Sequence, residues 1–477
     1  MSLYSPARAL PKCFRLVLAS FLQRPGLPFA DALTERDIHQ AFDDEAAGFA
    51  DDREAVYTPA VTLWAFLSQI LFKDQQRSCV AAVARVMVLL VAWGRGPCSG
   101  NTGAYCRARS KLSETVVARL VVDLAEGCEG QLDDARLWHG RHVYLVDGTT
   151  VSMPDTPQNQ EAYPQSTQQQ PGLGFPVARV VLLLSLATGM IADLALGPYA
   201  GKETGETALL RQLFQRFGPG DILLGDRYFC SYFMIALLQE MGVDFVTRIH
   251  QLRTVNFRRG RRLGRDDHIV RWSRPQKPTG MDQQTYHRMP ASIEVREIQV
   301  RLSQPGFRTD SLVVVTTLTD AAEYAKDDLA ELYHARWQAE LDIRAIKITL
   351  GMDVLRCKTP EMVRQEMWTC LLAYNLIRQT LLQSAQQVGV SPRGLSFTAA
   401  VQSVAASWLV IAVSDHARAA LLIDAASVNL AKHVVGHRPG RIEPRAVKRR
   451  PKPHHLLTKP RAQARAEMIG AKSPQNP

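Results

Sequence analysis

Residues 327–352 read DDLAELYHARWQAELDIRAIKITLGM. Strong helix formers fill this stretch and its only helix breaker, Gly351, stands near the end, so we predict one helix of about seven turns. At 100° per residue, one face of this helix is polar and the neighbouring face is apolar. The polar face carries Tyr333, Arg336, Glu340 and Lys347, and the apolar face carries Leu332, Ala339, Ile343, Ile346 and Leu350.

The polar face of this helix has two interpretations. A single carboxylate set between Arg336 and Lys347 suits a group that binds a metal ion while its neighbours contact phosphates. Arg, Glu and Lys at helical spacing also form ion pairs on an ordinary solvated surface. The helix alone leaves both interpretations open, and residues elsewhere in the chain favour the first.

Length and charge point to a multidomain protein with a polyanionic partner. The 477 residues predict two to four domains, and the formal net charge of +11 favours a partner such as a nucleic acid. Most of this excess lies in residues 432–477, which hold twelve Lys or Arg against two Glu. Because its first half is also rich in Pro, we expect this tail to be extended until a partner orders it.

Cysteine usage and hydropathy predict an intracellular protein. The eight cysteines include no CxxC pair, which argues against a zinc ribbon and a dense disulfide framework. The most apolar run, residues 80–93, contains Arg85, so we interpret it as a buried helix and not as a membrane span. The expected location is the cytoplasm, with no membrane partner.

Helical patterns dominate the chain up to about residue 127 and predict a helical N-terminal domain over residues 1–135. Thr34 is a candidate N-cap, and Pro59 stands at the first position of another helix. A later helix carries three basic residues that either contact DNA or form a solvated turn. These residues are Arg107, Arg109 and Lys111.

Beyond residue 140 the pattern changes to alternating strands and helices in the order β, β, β, α, β, α, β. HVYLVDGTT and DILLGD are short apolar runs that lead into Asp147 and Asp226. We therefore predict that both carboxylates stand at strand ends, where open α/β sheets place their ligands. A catalytic α/β domain is expected over residues 136–385.

An insertion over about residues 250–310 interrupts this domain with a polar, basic composition. Residues 251–265 contain six Arg and no acid, a run that either follows a phosphate backbone or forms a solvated loop. An apolar strand and the long helix follow. Further helices and the basic tail make up a C-terminal region over residues 386–477.

Three carboxylates thus come from two strand ends and one helix: Asp147, Asp226 and Glu340. Close together and without a cation they would repel one another, so their convergence makes sense around divalent metal. Mg²⁺ fits oxygen ligands and bridges phosphate oxygens. Such a site could activate water or a 3′-hydroxyl for phosphodiester displacement.

The polar face has the spacing Tyr333-x2-Arg336-x3-Glu340-x6-Lys347. This spacing resembles the Y-R-E-K signature of bacterial transposases of the insertion sequence four family, a branch of the DDE transposases. Asp147-Gly-Thr-Thr and Leu-Gly-Asp226-Arg-Tyr also resemble the first and second aspartate regions of that family. The resemblance covers residues 140 to 380.

The resemblance implies a ribonuclease H-like mixed-sheet catalytic core with a β-rich insertion between the second aspartate and the glutamate. It also implies that Asp147, Asp226 and Glu340 are catalytic and bind Mg²⁺, with Mn²⁺ able to substitute. Tyr333, Arg336 and Lys347 would hold phosphates of the transposon end. The implied partners are transposon-end DNA and target DNA, bound by a homodimer at the nucleoid.

One departure from the family concerns base trapping. Related transposases can stack a flipped base on a Trp just before the strand that leads to the Y-R-E-K helix, but this place reads Asp310-Ser-Leu312 here. The only Trp between Asp226 and Tyr333 is Trp272. It is a candidate base platform, and ordinary packing within the insertion is the alternative.

These observations predict a cut-and-paste DNA transposase. One alternative is a metal-dependent nuclease that uses the same carboxylates but performs no strand transfer. Another is a domesticated DNA-binding protein, against which the three intact carboxylates argue.

Overall fold

The computed structural model of the protein describes residues 55–301, 311–435 and 455–472. Within the described residues, four α-helices precede the sheet: α1 (Pro59–Leu71), α2 (Cys79–Ala92), α3 (Gly103–Ser110) and α4 (Glu114–Glu129). The next elements are β1 (Val143–Ser152), α5 (Pro157–Ala162), β2 (Val177–Ser185), β3 (Ile191–Pro198), α6 (Glu206–Gln212), β4 (Ile222–Gly225), α7 (Tyr232–Glu240) and β5 (Asp244–Arg248).

The predicted insertion contains β6 (Arg261–Gly264), β7 (Asp267–Ser273), α8 (Gln283–Arg288) and β8 (Ser292–Arg301), and β9 (Ser311–Thr316) follows it. The remaining helices are α9 (Lys326–Ala335), α10 (Trp337–Arg344), a π-helical turn (Ala345–Thr349), α11 (Pro360–Val388), α12 (Phe397–Val413), α13 (His416–Ala431) and α14 (Arg461–Lys472). The candidate N-cap Thr34, residue Asp310 and residues 436–454 of the basic tail lie outside the described residues.

The described strands form one nine-stranded sheet in the order β3-β2-β1-β4-β5-β9-β8-β7-β6. Strands β1, β4 and β5 are parallel to one another, and every other neighbouring pair is antiparallel. The first five strands have the ribonuclease H-like arrangement that the resemblance implied, and their order along the chain was predicted. The insertion is β-rich as expected, and its strands extend the core sheet through β9.

Helices cover both faces of the sheet because the alternating residues of its central strands are apolar on both sides. Leu145 of β1 faces a core that includes the N-terminal helices and α11, whereas Val146 faces a second core with α6 and α7. Helix α11 is buried around almost its whole circumference, as expected of a central helix. Asn375 ties it to the sheet edge, since its side chain accepts from the amide of Ile191 at 2.8 Å and donates to the carbonyl of Val121 in α4 at 3.1 Å.

The N-terminal helices confirm several local predictions. Thr58 caps α1 by accepting a hydrogen bond from the amide of Val61, and Pro59 is its first residue. The apolar run at residues 80–93 is helix α2, and Arg85 is buried, with Nε donating to Ser68 Oγ at 3.0 Å. No helix among the described residues has the length and apolar character needed to cross a membrane.

The long helix predicted over residues 327–352 is wrong in its continuity. The chain is helical from Lys326 to Thr349 but changes geometry twice, at Arg336 and at the π-helical turn. At Arg336 a tighter bond replaces the α-helical one, since its amide donates to the carbonyl of Tyr333. Neither site contains Gly or Pro, so the residue-type signals for a break were absent. The predicted apolar face is confirmed, because all five of its residues are buried.

Candidate active site

Strand register brings the first two candidate carboxylates to neighbouring positions. Leu145 of β1 pairs with Leu224 of β4, and this pair is the last in their parallel ladder. Asp147 and Asp226 each stand two residues beyond it. The prediction that Asp147 ends its strand is wrong, because β1 continues to Ser152 through its antiparallel pairing with β2. The parallel pairing with β4 does stop just before Asp147.

Backbone hydrogen bonds position both aspartates. The Oδ1 atom of Asp147 accepts from the amide of Gly148 at 2.8 Å, and Oδ1 of Asp226 accepts from the amide of Tyr228 at 2.8 Å. The hydroxyl of Thr247 on β5 donates to the carbonyl of Asp226 at 2.8 Å. These contacts fix the backbone at the carboxyl end of β4.

The charges of the other two predicted carboxylates, Asp226 and Glu340, both act on Asp147. Burial raises its pKa to about 6, and the negative charges of Asp226 and Glu340 contribute to the increase. The Arg336 guanidinium and the amide of Gly148 act in the opposite direction. Asp147 is therefore a carboxylate with two acidic neighbours and one basic neighbour.

Arg336 lies against the third carboxylate. Its Nη2 atom is 2.7 Å from Oε1 of Glu340, the ion pair that the structural interpretation of the helix expected. Burial opposes the charged form of Arg336, but Glu340, Tyr333 and Asp147 outweigh it and raise the pKa of the guanidinium. In the protein alone, Arg336 thus pairs with Glu340 and also acts on the charge of Asp147.

The remaining members of the Y-R-E-K pattern lie along the same helical run. Tyr333 is buried, and burial raises the pKa of its phenol to about 12. Lys347, within the π-helical turn, donates from Nζ to Thr149 Oγ1 at 3.1 Å and to the carbonyl of Thr150 at 2.8 Å. It therefore contacts the strand that carries Asp147.

A buried ion-pair network anchors the helix that carries Glu340. Asp342, two residues further along α10, pairs with the buried Arg378 of α11. Its other oxygen lies 2.8 Å from Nη1 of Arg393, which also donates to the carbonyls of Leu186 and Ser185 at the end of β2. Removing one partner of such a buried network typically costs several kcal/mol, so the network restrains the orientation of α10.

Trp272 lies away from these residues, on strand β7 of the insertion. It is only 6% exposed, and its indole N–H donates to Oε1 of Glu297 at 3.0 Å. The guanidinium of Arg253 covers one face of the ring, 3.6 Å from the ring centre. These contacts agree with the alternative that Trp272 serves ordinary packing within the insertion. A base could stack on the covered face of the ring only after Arg253 moved away.

Sequence reasoning missed one acidic residue near the site, Glu206, the first residue of α6. Burial raises the pKa of its carboxyl group, and the charge of Asp226 adds to the increase. A Glu in the first turn of a helix is ordinarily explained by the helix dipole, which is why its position drew no attention. The signal that could have found it is its place in the sequence, at the start of the helix that connects β3 with β4.

Carboxylate oxygens are the donors that Mg²⁺ and Mn²⁺ prefer, so the donor set fits a hard divalent cation. In the described part of the chain, no three His, Cys, Asp or Glu side chains are already arranged as a metal-binding group. The ion pair between Glu340 and Arg336 agrees with this absence, because Glu340, one of the three predicted metal ligands, is bound to a guanidinium group instead.

Comparison with known proteins gives a consistent result. A family described as "Transposase DDE domain" matches residues 138–376, half of the chain. Transposase InsG for insertion sequence element IS4 of Escherichia coli (strain K12) is 27% identical over 358 residues, which cover 73% of this chain and 76% of InsG. Putative transposase InsZ of the same organism is 28% identical over 146 residues, which cover 30% of this chain and 46% of InsZ.

Among solved structures, the piggyBac transposase synaptic complex with hairpin DNA is similar, with a TM-score of 0.42 and 11% identity. The match covers 89% of this chain and 86% of that chain. The family match includes Asp147, Asp226 and the whole Y-R-E-K pattern. The chain belongs to the DDE transposases, in the branch represented by insertion sequence IS4, and is a DNA transposase.

Proposed function

We propose that Asp147, Asp226 and Glu340 bind the divalent metal with which this transposase cleaves and joins DNA. The observation that supports this most is the register of β1 and β4, which places both aspartates two residues beyond the last parallel pair. The assignment of Glu340, which lies on α10, is supported by its contribution to the raised pKa of Asp147. Mg²⁺ is the proposed ion, and Mn²⁺ should substitute for it.

The bound metal would polarise the scissile phosphate and lower the pKa of the attacking water or hydroxyl. Arg336 and Lys347 contribute positive charge beside the carboxylates, where the phosphates of the transposon end would lie. The guanidinium of Arg336 can form two parallel hydrogen bonds to one phosphate, which an ammonium cannot. In this proposal Arg336 exchanges its contact with Glu340 for contact with DNA, and Tyr333 supports it from the buried side.

The proposed reaction is cut-and-paste transposition. The chain nicks each end of the element, and the freed 3′-hydroxyl attacks the opposite strand to form a hairpin. Water opens this hairpin, and the 3′ ends then attack target DNA. We further propose that two copies of the chain pair the two transposon ends, in the cytoplasm at the nucleoid.

Strand transfer separates this proposal from a simple nuclease, because a nuclease transfers the phosphodiester only to water. The test uses purified full-length protein, DNA carrying the inverted repeats that flank this reading frame, and supercoiled target DNA with Mg²⁺. Pre-cleaved ends with a free 3′-hydroxyl should become covalently joined to the target. Cleavage without joined products would favour the nuclease, and binding without cleavage would favour the domesticated DNA-binding protein.

A further inference from the structure

Glu206 lies directly against the strand that carries Asp147. A Cβ atom placed on Gly148 would lie 2.5 and 2.7 Å from the two carboxylate oxygens of Glu206. Distances this short would force the Glu206 side chain to move, so the absence of a side chain at position 148 makes room for this carboxylate in its present position. Gly148 has no positive φ, and backbone conformation therefore does not explain the glycine.

The chain holds Glu206 in this place through contacts with the neighbouring strand. Arg179 of β2 donates from Nη1 to the carbonyl of Thr204 at 2.8 Å, two residues before Glu206. Arg179 pairs with Thr150 of β1, and Gly148 pairs with Val181 in the same ladder. The start of α6 is therefore fixed beside the segment that follows Asp147.

Glu206 approaches from the opposite side of β1 to Asp147, since successive residues of a strand point to opposite faces. The sheet does not separate the two carboxylates completely here, because the parallel pairing of β1 with β4 stops at Leu145 and Leu224. Asp226 stands at this opening, and its charge acts on both Asp147 and Glu206. This opening is therefore the place where one cation could contact carboxylates from both faces of the sheet.

The carboxylate of Glu206 is not held by a direct partner: among the described residues it accepts no hydrogen bond and forms no ion pair. Burial and the charge of Asp226 raise the pKa of this carboxyl group, and together they outweigh the charge of Arg179, which lowers it. A half-buried carboxylate without a partner costs free energy in the protein alone. A cation at the opening would supply the missing partner.

We infer that Glu206 is a fourth carboxylate of the metal site, and that Gly148 is the residue that admits it. This inference rests on the proposed function, because it uses the same metal. It adds a ligand from helix α6 to the three that the family pattern implies. The alternative is that Glu206 only supports the first turn of α6, in which case metal affinity would not depend on it.

The test is the affinity of the full-length protein for Mn²⁺, measured from the free ion by electron paramagnetic resonance. Glu206→Gln preserves shape and removes the charge, and we expect the Kd for Mn²⁺ to rise about tenfold or more, as for loss of an acidic group that supports a metal site. Glu203→Gln makes the same charge change at an exposed position in the preceding loop and should leave the Kd unchanged. Circular dichroism and thermal unfolding verify that each variant is folded.

Asp147→Asn serves as the reference for the proposed function. If it weakens Mn²⁺ binding while Glu206→Gln binds like the wild type, the inference about Glu206 is wrong and the proposed function stands. If neither change affects the Kd, both are wrong. These outcomes distinguish the two ideas.

A second comparison covers the case in which Glu206→Gln does not fold. Gly148→Ala adds a methyl group that must displace the Glu206 side chain, so it should weaken Mn²⁺ binding. In a Glu206→Ala background the space is empty, and the same change should have little further effect. An equal loss of affinity in both backgrounds would mean that Gly148 acts without Glu206 and would overturn the inference.

Discussion

Lys347 donates a hydrogen bond to the carbonyl oxygen of Thr150 at 2.8 Å, which fastens the π-helical turn to the strand that carries Asp147. This lysine belongs to the Y-R-E-K pattern, and in the protein alone its ammonium group contacts protein atoms. A π-helical turn often occurs at a functional site, since the wider turn redirects a side chain. Lys347 therefore has both a structural contact and a proposed DNA contact.

Lys347→Ala should affect DNA binding more than folding. The change removes two hydrogen bonds from a half-buried ammonium, which should lower the free energy of unfolding by about 1 kcal/mol. Loss of a phosphate contact should weaken binding to transposon-end DNA and reduce the salt dependence of that binding. Urea unfolding and gel-shift titrations measure the two effects. Normal end binding by a destabilised variant would indicate that the role of Lys347 is structural.

Arg336→Lys keeps the positive charge but loses the planar guanidinium group. We expect weaker binding to transposon ends with the fold retained, because an ammonium cannot form two parallel hydrogen bonds to one phosphate. A gel shift with end DNA and with unrelated DNA measures the effect. If the variant binds ends like the wild type but unfolds at a lower temperature, the ion pair with Glu340 is the whole role of Arg336.

The pair formed by His142 and Glu129 should make stability depend on pH. The two side chains are 3.1 Å apart, and the hydrogen bond to Glu129 raises the pKa of His142 above its ordinary value of 6.5. Because the folded protein holds the proton more tightly, this contribution is complete below pH 6.5 and is lost as pH rises through the higher folded pKa.

His142→Gln should therefore lower the Tm more at pH 5.5 than at pH 8.5. The exposed His433→Gln is the matched control, and it should change the Tm equally little at both values. Thermal unfolding followed by circular dichroism gives the comparison. The same loss of Tm at both pH values in His142→Gln would show that packing, and not the charge, accounts for the contribution of His142.

The basic tail should supply DNA affinity that does not depend on sequence. Residues 437–477 hold eleven Lys or Arg against two Glu. Removing them should flatten the plot of log K against log salt concentration, because fewer counterions are released from DNA. Titrations at several salt concentrations with full-length and shortened protein measure the slope. An unchanged slope would assign the tail to a different partner.

The arrangement of the core was predictable because its strands are short apolar runs separated by turn residues. Strands β2 and β3 and the strand before Asp226 follow directly from residue types. The end of β1 does not follow from residue types, because its extension to Ser152 depends on pairing with β2, a strand further along the chain. Local sequence carries no information about that pairing.

The site was only partly predictable. The predicted spacing of Arg336, Glu340 and Lys347 assumed a regular helix, whereas the structure has a π-helical turn at Lys347, where this residue contacts β1. Glu206 was missed because its significance comes from the missing side chain of Gly148, far away in sequence. The contact of Lys347 with β1 and the contact of Glu206 with Gly148 both join segments that are distant in sequence.

The most direct measurement of the central claim is Mg²⁺-dependent cleavage of end DNA by Glu340→Gln, with end binding without metal measured on the same preparation. The change keeps the shape and removes a charge that repels phosphate, so binding should be equal or tighter. Nicking, hairpin formation and strand transfer should fall together by orders of magnitude, because one metal site performs every step. Cleavage near the wild-type rate would contradict the account and remove Glu340 from the active site.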